Sequence, residues 1–402
     1  MEPNCGNAQL KWNDTGGDAS SPGTHALVIG VSRYRHLDDG DDPRGHQTFG
    51  LKQLDCAASG AFQVACWLRD HYCNPRAPLT SVRLLLSPSP YEQRVNPALA
   101  AATAAVPAAT WSDVEKAATD WRVEWAYHPD NVGIFYAAGH GICAGEEIPV
   151  VLLEDFAAHQ RSLRTTLDVV NLCQGMKTAG APRQVFFIDA CGVEPEKLKE
   201  YAEGGLGSGE FFSDLRQAPE WRRAAPLFLS ALRGTSAHGI PGVGTIFSNA
   251  LIQCFNGLAS ERLDAGYVVT VLGMAKALPP LVERVAHAHG LEQYAQPNVP
   301  LIQLELHQLD QPPRVPLSIH LDPADAAAVV HGAIDDRVGD SYRTDIFRAG
   351  SPFRDSVEAG LYTVRVDVVR ELRDLRNRTE LIDPEPPYPY DQRIDVRAGR
   401  GR

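Results

Sequence analysis

Five short runs of consecutive apolar residues, separated by stretches with helical spacing, restrict this chain more than any other feature of its 402 residues. They are His25–Val31, Val82–Leu86, Val132–Ala138, Gln184–Ala190 and Leu227–Leu232. A strand that is apolar at nearly every position must be covered on both faces, and a parallel sheet wrapped by helices provides that cover. Between the runs, Leu54, Ala58, Ala61, Ala65 and Leu68 recur at steps of four and three and predict one helix. Ser112 with Glu115 has the pattern of a capping box, followed by the stripe Val114, Ala118, Trp121 and Trp125. A third helix is expected from about Thr165 to Lys177, stopping at Gly180. The alternation implies a layered α/β domain with a mostly parallel central sheet, extending to a helical pattern that ends near His289.

Beyond Pro297 the texture changes. Short alternating segments, Leu301–Leu306, Pro316–Leu321 and Leu361–Val369, are punctuated by Pro312-Pro313, Gly350 and Gly360. They predict an antiparallel β-sandwich of about a hundred residues. Residues 1–24 are polar and glycine-rich and read as a flexible arm. The expected organisation is therefore an arm at 1–24, an α/β domain at 25–297 and a β-sandwich at 300–402.

Composition narrows the function. A net charge of −12 argues against a chain built to coat nucleic acid or an anionic membrane. No apolar run reaches the roughly 18 residues that span a bilayer, and Met1-Glu2-Pro3-Asn4-Cys5 lacks the order of a secretory signal. Eight cysteines are too sparse for a disulfide scaffold, so reduced thiols in a cytoplasmic protein are the expectation.

Two strand ends carry the chemistry. Val132–Ala138 runs into Gly139-His140-Gly141, and Gln184–Ala190 runs into Cys191-Gly192. In a parallel sheet all strand C-termini share one edge, where open α/β sheets place their sites. As neighbours roughly 4.8 Å apart, these strands would set His140 and Cys191 across one cleft. A thiol nucleophile needs that arrangement, with an imidazole to favour the thiolate and then protonate the leaving amine. The flanking glycines let a substrate backbone approach.

These residues resemble the caspase–metacaspase clan of cysteine peptidases over about residues 25–290. HALVIGVSRY is similar to the clan's first core strand and the turn after it, GIFYAAGHGI to its histidine motif and VFFIDACGV to its nucleophile motif. EEIPVVLLEDF is similar to the stretch after the histidine, with Asp155 in place of the usual acid. SALRGTSAHGIPGVGTIFSNALIQCF resembles the strand, loop and helix that close the substrate cleft. The resemblance implies a caspase-like three-layer fold, Cys191 as nucleophile and His140 as general acid/base. It also implies an oxyanion hole from the backbone N–H groups of Gly141 and Cys191. Asp189-Ala190-Cys191 matches metacaspases and not the Gln-Ala-Cys of caspases. The metacaspase Ser two before the histidine is Ala138 here, and Ala58-Ser59-Gly60-Ala61 stands where Asn-Asp-Ala is usual, with Asp55 a few residues earlier.

From this come the functional expectations: a cysteine endopeptidase acting on proteins or peptides, a signal-activated effector in defence or programmed cell death. Side chains alternate along a strand, so Asp189 points to the same side as Cys191. With Asp55 it is the candidate S1 acid, selecting Arg or Lys at the cleavage site. The polar, glycine-rich Gly192–Ala225 is a candidate processing or covering loop, and 300–402 resembles immunoglobulin-like or transthyretin-like modules. That module is expected to regulate the protease by taking a protein partner or a small, nucleotide-like activator. The competing reading is a non-catalytic caspase-fold receptor or scaffold that binds a peptide or small ligand. A doubly wound nucleotide-binding enzyme is a weaker rival, since no Gly-x-Gly-x-x-Gly follows the first strand.

No metal site is expected. His140-Gly-Ile-Cys143 has zinc-like spacing but no companion pair. Glu146-Glu147 with Glu154-Asp155 is the one calcium candidate, read in preference as a solvated loop and a strand end. Gly204–Gly209 reads as a loop, not a phosphate cradle. Cys5, Cys56, Cys66, Cys73, Cys173 and Cys254 read as residues without chemistry, and His287 and His289 as a helix terminus.

Overall fold

A computed structural model describes residues 10–14, 20–143, 150–158, 162–177, 181–192, 225–300, 302, 304–336, 341–348, 351–369, 374–387 and 389–397. Glu146, Glu147, Gly204–Gly209, Cys5 and nearly all of the candidate processing loop lie outside these residues. The chain divides into two compact units, one of residues 1–253 and 270–308, the other of 254–269 and 309–402.

The first unit opens with β1 (Thr24–Val31), α1 (Ala57–His71) and β2 (Leu79–Ser87), then two short helices, α2 (Pro90–Val95) and α3 (Pro97–Thr103). Next come α4 (Trp111–Ala126), β3 (Val132–Gly139) and a small sheet of β4 (Gly141–Ile142), β5 (Val150–Leu152) and β6 (Thr166–Asp168). After α5 (Val169–Lys177) follow β7 (Arg183–Ala190), β8 (Leu227–Leu229), the hairpin β9 (Gly239–Ile240) and β10 (Gly244–Thr245), and α6 (Ile246–Gln253). The chain then forms β11 (Ser260–Leu263) and β12 (Gly266–Thr270), α7 (Val271–Ala288), β13 (Gln296–Asn298) and β14 (Glu305–Gln308). The central sheet runs β13-β8-β7-β3-β1-β2. All of its pairings are parallel except β13 against β8, so the five apolar runs form the five parallel strands.

Each face of the sheet has its own cover. Leu27, Ile29, Phe135, Phe186 and Ile188 share one apolar core with Trp121 and Trp125 of α4 and with Val169 and Leu172 of α5. The alternate residues face α1, and Gly30 sets how closely that helix lies. A Cβ added at Gly30 would sit 2.6 Å from Ala61 Cβ and 2.9 Å from Ala58 Cα. The start of α1 takes no cap from its own Cys56. Instead Ser32 Oγ accepts the Ala58 N–H at 3.0 Å and Glu92 Oε1 accepts the Ser59 N–H at 2.8 Å. Tertiary neighbours thus satisfy donors that a local cap would otherwise take.

Several local expectations shift. Helix α4 begins at Trp111, so Ser112 and Glu115 lie inside its first turn, and the cap is Thr110, which accepts from the Asp113 N–H at 3.4 Å. The third helix begins at Val169, not Thr165, because Thr166–Asp168 pair as β6 and Asp168 Oδ1 accepts the Asn171 N–H at 2.9 Å. Cys73, expected as a reduced thiol, is disulfide-bonded. His287 lies in the last turn of α7 and His289 at its C-cap, as the sequence suggests.

In the second unit, strands β15 (Arg314–Asp322), β18 (Phe353–Glu358) and β21 (Tyr390–Asp395) form one sheet. Strands β16 (Val330–Asp335), β17 (Ser341–Thr344), β19 (Tyr362–Val368) and β20 (Arg378–Ile382) form another. Leu317, Ile319, Val357 and Ile394 from the first meet Ile334, Val364, Val366 and Ile382 from the second in one core. The expected antiparallel arrangement fails at one pairing, because β21 runs parallel to β15. Segment 254–269 joins this unit through Tyr267, which packs with Val315 and Ala359 and donates to Glu385 Oε1 at 2.9 Å.

The Gly30 contact generates a stability prediction. Gly30→Ala should destabilise the fold by about 1–3 kcal/mol, since the new methyl meets helix backbone that cannot rotate away. Denaturant unfolding of the full chain measures it, and an unchanged midpoint would show that α1 does not rest on Gly30.

Candidate active site

Parallel pairing of β3 with β7 sets Ala138 opposite Asp189 and Gly139 opposite Ala190. One further step in the same register sets His140 opposite Cys191. The two strand ends are in close contact: a Cβ at Gly141 would lie 2.3 Å from the Cys191 carbonyl oxygen and 3.2 Å from its nitrogen. Only glycine fits there. Beyond it, the Leu152 N–H donates to the His140 carbonyl at 2.9 Å and Gly141 stands opposite Val151. In the alternating antiparallel pattern this turns the Gly141 N–H away from β5.

His140 is held on three sides. Its ring Nε2 lies 2.6 Å from the Lys52 carbonyl oxygen. A carbonyl can only accept, so Nε2 carries the proton and Nδ1 keeps the basic lone pair. The His140 N–H donates to Tyr34 Oη at 2.7 Å, and the two rings lie 5.1 Å apart. Gln53, next to Lys52, accepts from the Tyr34 N–H at 2.7 Å and donates to the Tyr34 carbonyl at 2.8 Å. The carbonyl that orients the imidazole is thereby tied to the tyrosine that holds its backbone. Burial lowers the His140 pKa, and the Lys52 carbonyl opposes this only in part.

Cys191 is half-buried at the mouth of β7. Its thiol lies 3.6 Å from the Ala237 carbonyl and accepts from the Ala237 N–H at 3.3 Å. Burial pushes the thiol pKa up, the Ala237 N–H opposes that, and nearby Asp189 adds to it. Burial thus acts on both groups toward the neutral form, opposite to the thiolate that strand-end placement suggests.

Asp189 projects from the same face as Cys191 and is buried. Tyr136 Oη donates to its Oδ2 at 2.6 Å, and the Thr245 hydroxyl donates to the same oxygen. Thr245 also accepts the Ser248 N–H at 2.9 Å, tying the carboxylate to the first turn of α6. The other oxygen, Oδ1, has no hydrogen-bond partner among the described residues. Ser230 lies close enough to act on the carboxyl, but its hydroxyl donates to the Ala190 carbonyl at 3.2 Å. Burial raises the Asp189 pKa to about 6. Asp55 is half-buried, accepts from Ser89 Oγ at 2.6 Å, and through its carbonyl accepts the Gly242 N–H at 2.7 Å. Burial pushes the Cys56 thiol up to about 12, with the charges of Asp189 and Glu92 adding to it.

The described half of the calcium candidate has structural work to do. Glu154 pairs with Arg35 at 2.6 Å and accepts from Ser87 Oγ at 2.5 Å, while Asp155 accepts the Trp111 N–H at 3.0 Å at the start of α4. Among the described residues no cluster of His, Cys, Asp and Glu could hold a metal ion. Lys52, Gln53, Tyr136, Ala237 and Thr245 carry no sequence signal of their roles, since Lys52 and Ala237 act through backbone and the other three through contacts distant in the chain. Tyr34 stands in the quoted turn after β1, the one signal that pointed toward it.

No family model matches the sequence, and no curated protein matches it. Similar solved structures include protein GSU0716 from Geobacter sulfurreducens, with 12% identity over 72% of this chain and 95% of that one, and a TM-score of 0.38. Caspase-1 from Spodoptera frugiperda is another, with 14% identity over 70% of this chain and 86% of that one, and a TM-score of 0.37. Likeness at this level leaves the site to stand on its own geometry.

The raised Asp189 pKa generates a pH prediction. The folded carboxyl holds its proton up to about 6, whereas the unfolded one releases it near the ordinary 3.8. The contribution of Asp189 to stability is therefore greatest below about pH 4, falls as pH rises from 4 to 6, and stays reduced above that. Asp189→Asn should raise stability by on the order of 1–3 kcal/mol at about pH 8, with no gain at about pH 4. Melting temperatures across this range check it. A gain independent of pH would place its source outside the ionisation.

Proposed function

We propose that the chain is a caspase-like cysteine endopeptidase that cleaves after Arg or Lys. The observation that carries the reading is the β3–β7 register, with the Gly141–Cys191 contact beside it. It brings a histidine of defined tautomer and a cysteine to adjacent strand ends at the edge where parallel sheets build sites. Neutral His140 takes the thiol proton through Nδ1 as Cys191 Sγ attacks the scissile carbonyl. The developing oxyanion is met by the Gly141 and Cys191 N–H groups. The imidazolium then gives its proton to the leaving amine, and water, deprotonated by the same histidine, releases the acyl group from sulfur.

Asp189 suits the S1 role through its unpaired Oδ1, a buried oxygen that a guanidinium or ammonium would satisfy. Asp55 sits nearby as a second acid. The second unit is proposed to regulate the protease by binding a protein partner or a small, nucleotide-like activator. A cytoplasmic effector role in defence or cell death belongs to the same proposal, as does processing within 192–225. Among the described residues no helix is long and apolar enough to cross a membrane.

Incubation with a mixed peptide library, with cleavage sites read by mass spectrometry, is the direct test. Cys191→Ala and His140→Ala should each lower turnover at least about a thousandfold while the fold stays intact. Cleavage by either variant at the wild-type rate overturns the assignment. The raised Asp189 pKa adds a second expectation: kcat/KM for Arg and Lys peptides should fall as pH drops below about 6, because a protonated carboxyl no longer attracts a cation. Cleavage after acidic residues would refute the S1 assignment.

A further inference from the structure

Strand β13 returns antiparallel to β8, with Gln296 opposite Leu229. The chain just before β13 therefore passes the point where β8 ends and segment 230–238 begins. There the buried Gln293 spans that segment with a single amide. Its Nε2 donates to the Ser230 carbonyl at 2.9 Å, and its Oε1 accepts the His238 N–H at 2.8 Å. Between these anchors the segment clasps the nucleophile's end of β7. The Gly192 N–H donates to the Thr235 carbonyl at 3.0 Å, the Gly234 N–H donates to the Gly192 carbonyl at 2.7 Å, and the Ala237 N–H reaches Cys191 Sγ at 3.3 Å.

No strand or helix runs between Ser230 and His238, so no ladder sets the distance between the segment's ends. A glutamine amide carries a donor and an acceptor on one planar group and can bridge two backbone positions at once. Removing it leaves the buried Ser230 carbonyl and the partly buried His238 N–H without this partner, which favours a shift of the segment.

We propose that Gln293 is a positioning residue for the nucleophile: by bridging Ser230 and His238 it holds the Ala237 N–H on the Cys191 sulfur. A hydrogen bond donated to sulfur favours the thiolate over the thiol, against the burial that acts the other way. The inference rests on the reading of Cys191 as nucleophile. Its readout is alkylation of the thiol, which needs no peptide cleavage, so the two can fail separately.

The test uses the full chain with Gln293→Met, which keeps the length and removes both hydrogen bonds. Gln293→Glu is the companion variant, keeping the acceptor for His238 and losing the donor to Ser230 when ionised. Iodoacetamide modification of Cys191 is followed by peptide mass spectrometry across pH, with half-buried Cys66 in the same digest as internal reference. The Cys191 profile should move to higher pH in Gln293→Met, with the rate at neutral pH slowed by about threefold to tenfold, as weakening of one hydrogen bond implies. Cys66 should not change, and Gln293→Glu should lie between wild type and Gln293→Met. If Gln293→Met does not fold, the Glu variant carries the same comparison. An unchanged Cys191 profile alongside a lowered melting temperature overturns the proposal and leaves Gln293 a structural role. Faster modification of Cys191, as from a loosened cover over the sulfur, overturns it as well.

Discussion

The parallel pairing of β3 with β7 is the constraint on which the rest of the candidate site depends. Its register carries two chain segments, far apart in sequence, to adjacent exits at one sheet edge. The tightest contact of the site follows from that placement. Gly141 must lack a side chain because the Cys191 backbone lies against it, and beside it the imidazole Nε2 meets the Lys52 carbonyl. A one-residue slip would send His140 or Cys191 to the opposite face, into the core shared by Trp121, Phe135 and Phe186.

Burial acts on all three ionisable groups of the site in the direction of neutrality. It lowers His140, raises Cys191 and raises Asp189. The opposing interactions are backbone groups and hydroxyls: the Lys52 carbonyl, the Ala237 N–H and the Tyr136 and Thr245 hydroxyls. None of these carries a formal charge, so each offsets desolvation without adding a second buried ion. Burial thus presses His140 and Cys191 toward their neutral forms, while Asp189 carries its charge above about pH 6 with only hydroxyl donors to stabilise it.

The buried Asp189 oxygen without a partner is the clearest departure from the economy of an ordinary core. A carboxylate confined by Tyr136 and Thr245 on one oxygen and open on the other weakens the fold above the pH at which it ionises. Such a cost is of the kind that proteins tolerate at functional sites.

Much of the architecture is legible in the sequence, because short, mostly apolar runs alternating with helical patterns suit strands covered on both faces. The runs from His25, Val82, Val132, Gln184 and Leu227 accordingly become the five parallel strands, and His140 and Cys191 are found one step past two of them. Local signals were less decisive where a tertiary partner competed. Thr110 displaced the expected Ser112 cap, Thr166–Asp168 joined a sheet instead of a helix, and β21 paired parallel to β15 within the second unit. What the sequence by itself determined was the class of sheet and the identity of the residues at its strand ends, since both are read from periodicity along one chain. What only the tertiary structure decided was which backbone groups meet those residues. The Lys52 carbonyl, the Ala237 N–H and the Gln293 bridge involve atoms that every residue possesses, or a polar side chain with no local pattern. Their roles come from packing alone, because hydrogen bonds across long sequence separations leave no periodic trace in the chain that makes them.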